Sequence, residues 1–166
     1  RIAAILNKRF NEVWGQKCLR FSRYDVIDDI EVSRALLAEV ENWARELGMD
    51  NIQGPMGFCD LDHQGLLVDG FDERGLFITT YNHKYYADHL DALGYGKCVD
   101  WVEREVKVPD ELDPRIERIA EYSLRRDGLR VVEMKKTKEV VPYVAGIFDL
   151  LFDAYKHLYG VIPLTE

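Results

Sequence analysis

Residues 59–65 read Cys-Asp-Leu-Asp-His-Gln-Gly and place a thiol, two carboxylates and an imidazole within seven positions. Asp60-Leu61-Asp62-His63-Gln64-Gly65 matches the opening of a calcium loop, with oxygens at positions one, three and five and glycine at six. The closing bidentate carboxylate would have to be residue 71, which is phenylalanine. The stretch is therefore read as an acidic turn whose side chains cap backbone, and no metal site is expected. Cys59 and His63 offer a thiolate–imidazole pair, but such partners meet in space rather than in sequence. The competing reading is an ordinary half-buried thiol.

Further along, Tyr81-Asn82 and Tyr85-Tyr86 set aromatics and an amide near one strand end. They read either as a polar, aromatic substrate pocket or as packing at a sheet edge. The loop acids Asp60, Asp62, Asp72 and Glu73, together with Tyr81, Asn82 and Tyr86, form the set of substrate or loop candidates. His83 and His89 are six apart, a spacing that places no two ligands on one helix face. His157 is expected to be exposed near a helix C-terminus, where a cation is favoured. The cysteines, Cys18, Cys59 and Cys98, are odd in number and contain no C-x-x-C, which argues against a disulfide framework or structural zinc.

The chain has 166 residues and a net charge of −8. That size holds one domain, or one and part of another. An acidic balance disfavours nucleic acid and anionic membrane, and no apolar run reaches the ~18–20 residues of a membrane span. With reduced cysteines and no leader pattern, a cytoplasmic setting is expected. The acidity is local: residues 25–75 hold thirteen acids and three bases. The chain opens on a strand already under way at Arg1 and stops at Glu166 without a finishing element, so it is expected to be a fragment of something longer.

The elements that would position these groups follow from hydrophobic periodicity. Strands are expected over 2–6 and 19–26, joined by a polar loop containing Asn7, Asn11 and Gly15. Asp28 and Glu31 open a helix in the manner of a capping box. Val32, Leu36, Val40, Trp43 and Leu47 give it a buried face, and Gly48 ends it. A short strand from Asn51 precedes a long loop over 54–75. Expected next are a strand at 76–80, a helix at 84–93 stopped by Gly94, and an alternating strand at 101–108. Asp113 and Pro114 open another helix, closed by Gly128. A strand at 129–134 and a long helix at 138–159 complete the order. Val141, Val144, Phe148, Leu151, Tyr155 and Leu158 form the apolar seam of that helix.

Two stretches carry a family resemblance. Residues 32–49, VSRALLAEVENWARELGM, resemble the central helix of the GNAT superfamily of acyl-CoA-dependent N-acyltransferases. His89-Leu90-Asp91-Ala92-Leu93-Gly94-Tyr95 is similar to that superfamily's late helix, which ends in leucine–glycine–aromatic. A subgroup with two GNAT-like halves has segments similar to Ile27-Asp28-Asp29, Gly54-Pro55-Met56-Gly57-Phe58, Gly70-Phe71-Asp72-Glu73 and Tyr81-Asn82. Residues 129–166 resemble the start of its second half. The resemblance covers nearly the whole chain. It implies an α/β (mixed α+β) fold, a mostly antiparallel sheet flanked by helices and incomplete at both ends. Its domains would be 1–108, GNAT-like and lacking its first strands, a linker at 109–113, and the opening helix-strand-helix of a second unit at 114–166.

The resemblance also implies a cofactor pyrophosphate at the central helix N-terminus, where glycines let backbone N–H groups approach. Aligned on Leu36, the glutamine/arginine position falls on Asp28 and the glycine positions on Asp29, Glu31 and Ser33. Three carboxylates there repel a phosphate while complementing the helix dipole. The family's proton-donating tyrosine position is Leu90, and Tyr86 lies one turn earlier. No acyl-CoA is therefore expected on this chain alone, although acetyl-CoA or another acyl-CoA is the family's cofactor.

The functional expectation is an N-acyltransferase that transfers an acyl group from acyl-CoA to an amine in the full-length protein. This half is expected to be non-catalytic, and structural or acceptor-binding, with the active site mainly outside the chain. Its expected partners are the second half, a small-molecule amine, and a second copy bound through the last helix. The alternative is a non-enzymatic module whose acidic loop holds a cationic ligand, metal ion or protein partner.

Overall fold

Strand β2 (Cys18–Ser22) is the centre of the architecture. In the computed structural model, which describes residues 1–59, 61–111 and 113–162, β2 pairs antiparallel with β1 (Ala3–Ile5) and parallel with β3 (Asn51–Gln53). Helix α2 (Ile30–Glu46) makes the crossover that a parallel pair requires. With α1 (Lys8–Trp14), α3 (Tyr85–Ala92), α4 (Pro114–Arg126) and α5 (Val144–Tyr155), the described chain is mixed α/β, with one three-stranded sheet and five helices. No helix among the described residues is long and apolar enough to cross a membrane.

Alternation along β2 divides its side chains between two clusters. Leu19 and Phe21 pack with Leu37, Val40 and Ala44 of α2 and with Tyr86 and Leu90 of α3. Cys18 packs with Phe10 of α1 and Ile162, with Trp14 and Cys59 at the edge. Arg20 is 1% exposed. Its Nη1 donates to the carbonyls of Gly57 and Phe58, its Nη2 to that of Gly160, and its Cζ lies 3.9 Å from the Phe10 ring centroid. Hydrogen bonding of the fork to carbonyls and stacking on an aromatic offset the cost of burying the cation.

Several expected elements are corrected. The segment expected as a polar loop between β1 and β2 contains α1. Asn7 is its N-cap, accepting from Phe10 N–H at 2.9 Å, and Gly15 closes it at φ +60°. Asn and Gly were thus helix boundaries, not loop signals. Strand β2 ends at Ser22, four residues early, because Arg23 turns the chain at φ +50°. The cap of α2 is Asp29, which accepts from Glu31 N–H, while Asp28 is engaged elsewhere. The buried stripe of α2 is Ser33, Leu37, Val40 and Ala44, and Trp43 is 38% exposed. The expected strands at 76–80, 101–108 and 129–134 are turns or irregular chain. The expected helix at 138–159 is two 3-10 turns (Thr137–Glu139 and Val141–Tyr143) followed by α5. Pro142 supplies no N–H donor, so the α-helix starts only beyond it. Gly48, Gly94 and Gly128 end their helices as expected, and Asp113 caps α4 with Pro114 in its first turn.

The described chain divides into two units. The first holds residues 1–98 and 149–166, and the second residues 99–148. The second contains α4, the two 3-10 turns and the start of α5, and its Ile116, Ile119 and Tyr122 are exposed. The expected seam residues Val141, Val144, Phe148, Leu151, Tyr155 and Leu158 are also exposed.

Two predictions follow from the packing on β2. A Cβ at Gly54 would overlap the Phe21 carbonyl and ring. Gly54→Ala should therefore cost about 2 kcal/mol in urea denaturation, within the range for overpacking. Burial raises the Cys18 thiol from 9.0 to about 11, partly opposed by Arg20. The unfolded chain releases that proton first, so stability should fall as pH rises from about 9 towards 11, by at most ~1.4 kcal/mol per unit. Denaturation midpoints compared between pH 8 and pH 10 should show a smaller fall in Cys18→Ala.

Candidate functional site

The first turn of α2 is occupied by the protein's own side chains. Tyr24 donates its hydroxyl to Ser33 Oγ at 2.8 Å, and Ser33 Oγ lies 2.8 Å from His89 Nδ1. His89 Nε2 lies 3.3 Å from Asp28 Oδ1. With the imidazole proton on Nε2, every member of this series meets a complementary partner. Ser33 is fully buried and His89 is 8% exposed. Burial raises the Tyr24 phenol above its ordinary value, which keeps it a donor.

The order serine, histidine, aspartate invites comparison with a nucleophilic triad. Ser33 is inaccessible to any substrate, so the arrangement holds α3 against α2 rather than attacking a carbonyl. Asp29 adds its cap to the same turn, and Glu31 pairs with Arg34 at 3.3 Å. Thus Asp28, Asp29, Glu31 and Ser33 all sit at the start of α2 and all four have partners within the protein, the three carboxylates in cap and ion-pair contacts and Ser33 in the interior. Three carboxylates and a buried hydroxyl engaged in this way do not fit a dianionic pyrophosphate.

Beside this turn lies a cleft of about 690 Å³ within the first unit. Its walls come from Arg1 and Ile5, from Ser22 at the end of β2 and the turn after it to Asp25, from residues 55–58 and 62–66, and from residues 79–86. Of the sequence candidates, Asp62, Tyr81, Asn82 and Tyr86 line it. Asp72 and Glu73 do not, and Asp60 lies outside the described residues.

Each lining candidate has a distinct job. Asp62 Oδ2 accepts from the N–H groups of Phe58 and Cys59 at 2.7 and 3.0 Å. Gly57 makes this fold-back feasible, because a Cβ there would overlap Asp62. Asn82 is 4% exposed. Its Oδ1 accepts from Leu67 N–H, and its Nδ2 donates to the carbonyls of Leu67 and His83, so it pins the long loop. Tyr86 donates to Asp25 Oδ1 at 3.2 Å and accepts from Val26 N–H at 3.3 Å. Tyr81 is 65% exposed, and its ring lies 6.3 Å from that of His83, edge to face. Cys59 joins the edge of the Phe10–Cys18–Ile162 cluster while His63 lines the cleft, so the structure does not build the thiolate–imidazole pair. His157 is exposed, just beyond α5.

Sequence reading missed three groups. Asp25 lines the cleft and pairs with Arg1 at 3.2 Å. Arg23 lines it from a left-handed backbone conformation that costs a non-glycine residue roughly 1–2 kcal/mol. His89 is the third. Its position one turn after Tyr85 and Tyr86, on the same helix, was the available signal.

The whole chain aligns with Protein YghO of Escherichia coli (strain K12), 26% identical over 170 residues and covering 42% of that protein. It also matches a protein named bacterial ceramide synthase from Caulobacter vibrioides, 25% identical over 140 residues, which cover 84% of this chain and 36% of that one. The chain spans less than half the length of these curated relatives. Neither name indicates the GNAT superfamily. No family model matches the chain, and no solved structure matches it.

Replacing Ser33 with valine would leave the Tyr24 hydroxyl and His89 Nδ1 unpaired in the interior. Ser33→Val should therefore lower stability by about 2–3 kcal/mol in chemical denaturation. Asp28→Asn, at a largely exposed carboxylate, should cost less than about 1 kcal/mol.

Proposed function

We propose that this chain is the non-catalytic, acceptor-holding part of a GNAT-like N-acyltransferase, with acyl transfer from acyl-CoA to an amine performed by the full-length protein. One observation carries the reading. At the helix start that would receive the cofactor, Asp28, Asp29, Ser33 and His89 are bonded to one another or to the helix's own backbone, while the neighbouring cleft stays open. The order β2–α2–β3, with its parallel pairing, supports the fold resemblance. So does a late helix ending in Leu93-Gly94-Tyr95. Ceramide is an amide, so the name of the Caulobacter relative is consistent with N-acyl transfer.

The cleft's chemistry suits an amine. Asp25 and Asp62 supply acceptors for an ammonium, and Ser22, Thr79, Thr80 and Tyr81 supply hydroxyls that bind either partner of a hydrogen bond. An amine attacks a thioester only when neutral, so holding the ammonium is a binding role. Removing its proton at the reacting carbon belongs to the remainder of the protein. The fold partner of this portion is that second half. The alternative, a non-enzymatic module holding a cationic ligand in the same cleft, uses the same residues without the reaction.

The test is acylation kinetics of the full-length protein, read as amine-dependent release of free CoA. Tyr81→Ala should raise KM for the amine about tenfold and leave KM for acyl-CoA unchanged. Asp28→Asn should change neither. A tenfold change in acyl-CoA KM from Asp28→Asn would overturn the proposal. Absence of amine-dependent release by the unmodified protein, with amine binding retained, would favour the module.

A further inference from the structure

The cleft holds two opposite charges that do not pair with each other. Asp25 and Arg1 neutralise one another at 3.2 Å, and the second Asp25 oxygen, Oδ1, accepts from the Tyr86 hydroxyl. The other two charges on the wall belong to Asp62 and Arg23. Asp62 offers only Oδ2 to the Phe58 and Cys59 N–H groups, so its Oδ1 remains an acceptor. Among the described residues, the Arg23 guanidinium has no hydrogen-bond or ion-pair partner. Its backbone holds φ +50°, in the left-handed region that a non-glycine residue keeps only where its surroundings impose it. Such strain collects at binding sites. Here it accompanies the turn straight after β2 that sets Arg23 on the cleft wall.

We infer that the cleft takes an amino acid with an apolar side chain, its carboxylate on Arg23 and its ammonium on Asp62. This rests on the acceptor-holding reading above and names the class of the amine. Charge balance carries the inference. With His63 neutral, the charges of Arg1, Arg23, Asp25 and Asp62 on the wall cancel. A ligand with one charge of each sign preserves that balance and gives both open groups a partner. A simple amine adds a cation and leaves Arg23 open, and a simple acid adds an anion and leaves Asp62 open. The pairings are also chemically matched. A guanidinium fork meets a carboxylate through two parallel N–H···O bonds, and an ammonium donates to a carboxylate oxygen. Ile5, Pro55, Phe58 and Leu66, on the same walls, supply apolar surface for the side chain.

The experiment is calorimetric titration of the full-length protein with phenylalanine, with phenethylamine, which lacks the carboxylate, and with 3-phenylpropanoate, which lacks the ammonium. Phenylalanine should bind at least tenfold tighter than either. Arg23→Gly should lose about tenfold for phenylalanine and nothing for phenethylamine. Glycine takes φ +50° without strain, so a loss of affinity there is not a loss of folding. Asp62→Asn keeps a carbonyl oxygen for the Phe58 and Cys59 N–H groups and removes the charge, so it should weaken phenylalanine and phenethylamine alike by about tenfold. Phenethylamine binding as tightly as phenylalanine, or phenylalanine binding untouched by Arg23→Gly, would overturn this inference and leave the acceptor reading standing. Asp62→Asn without effect on either amine, or 3-phenylpropanoate binding as tightly as phenylalanine, would overturn the ammonium site. Binding of neither amine would overturn the inference, and absence of amine-dependent CoA release with every amine would overturn the acceptor reading with it.

Discussion

A series of hydrogen bonds running from the buried Tyr24, Ser33 and His89 out to the exposed Asp28 holds the functional region together. It links the residue after the β2 turn, the first turn of α2 and the middle of α3. A polar series placed in an apolar interior is stable only when every member is paired, because each orphaned group costs a full desolvation penalty. That requirement fixes the spacing of α2 and α3. It also fixes where Tyr86, Asp25 and the cleft must lie. At the helix N-terminus itself, the feature that can attract phosphate, Asp29 accepts from the Glu31 N–H and the Asp28 and Glu31 carboxylates add negative charge beside it.

Beneath the other face of β2, Arg20 does for the loop what His89 does for the helices. Its fork reaches the carbonyls of Gly57, Phe58 and Gly160, and Asn7 Nδ2 donates to the same Phe58 carbonyl. Trp14 Nε1 donates to the Val161 carbonyl, which ties α1 to the end of the described chain. Segments without regular structure need such side-chain donors, since they have no ladder to satisfy their backbone. The loop wall of the cleft is thus fixed from below by Arg20 and folded back on itself by Asp62. Its apolar tip at 76–78 remains in water.

Much of the frame was legible in the sequence. The 3.6-residue period of α2, the Asp113–Pro114 start of α4 and the glycines at 48, 94 and 128 each have a local cause, and each element formed. The failures share a non-local cause. Alternation at 101–108 and 129–134 signals a strand only where a neighbouring strand completes its hydrogen bonds, and none of the described strands runs beside them. The Asn7 to Gly15 segment looked like a loop because its boundary residues favour caps and turns alike. Asp62 was identified from the spacing of its loop, and Tyr81, Asn82 and Tyr86 from residue type and an expected strand end at 76–80 that did not form; the four still converge on one cleft, whereas Asp72 and Glu73 share only the loop. His89 stayed hidden because its meaning lies in Ser33 and Asp28, more than fifty residues earlier.

The central claim is that the start of α2 is occupied from within. Amide chemical shifts of residues 30–33 and of the His89 ring, followed while coenzyme A is added to isotope-labelled protein, test it directly. The account predicts that these resonances stay unmoved at millimolar coenzyme A. Saturable shifts centred on the first turn of α2 would contradict it.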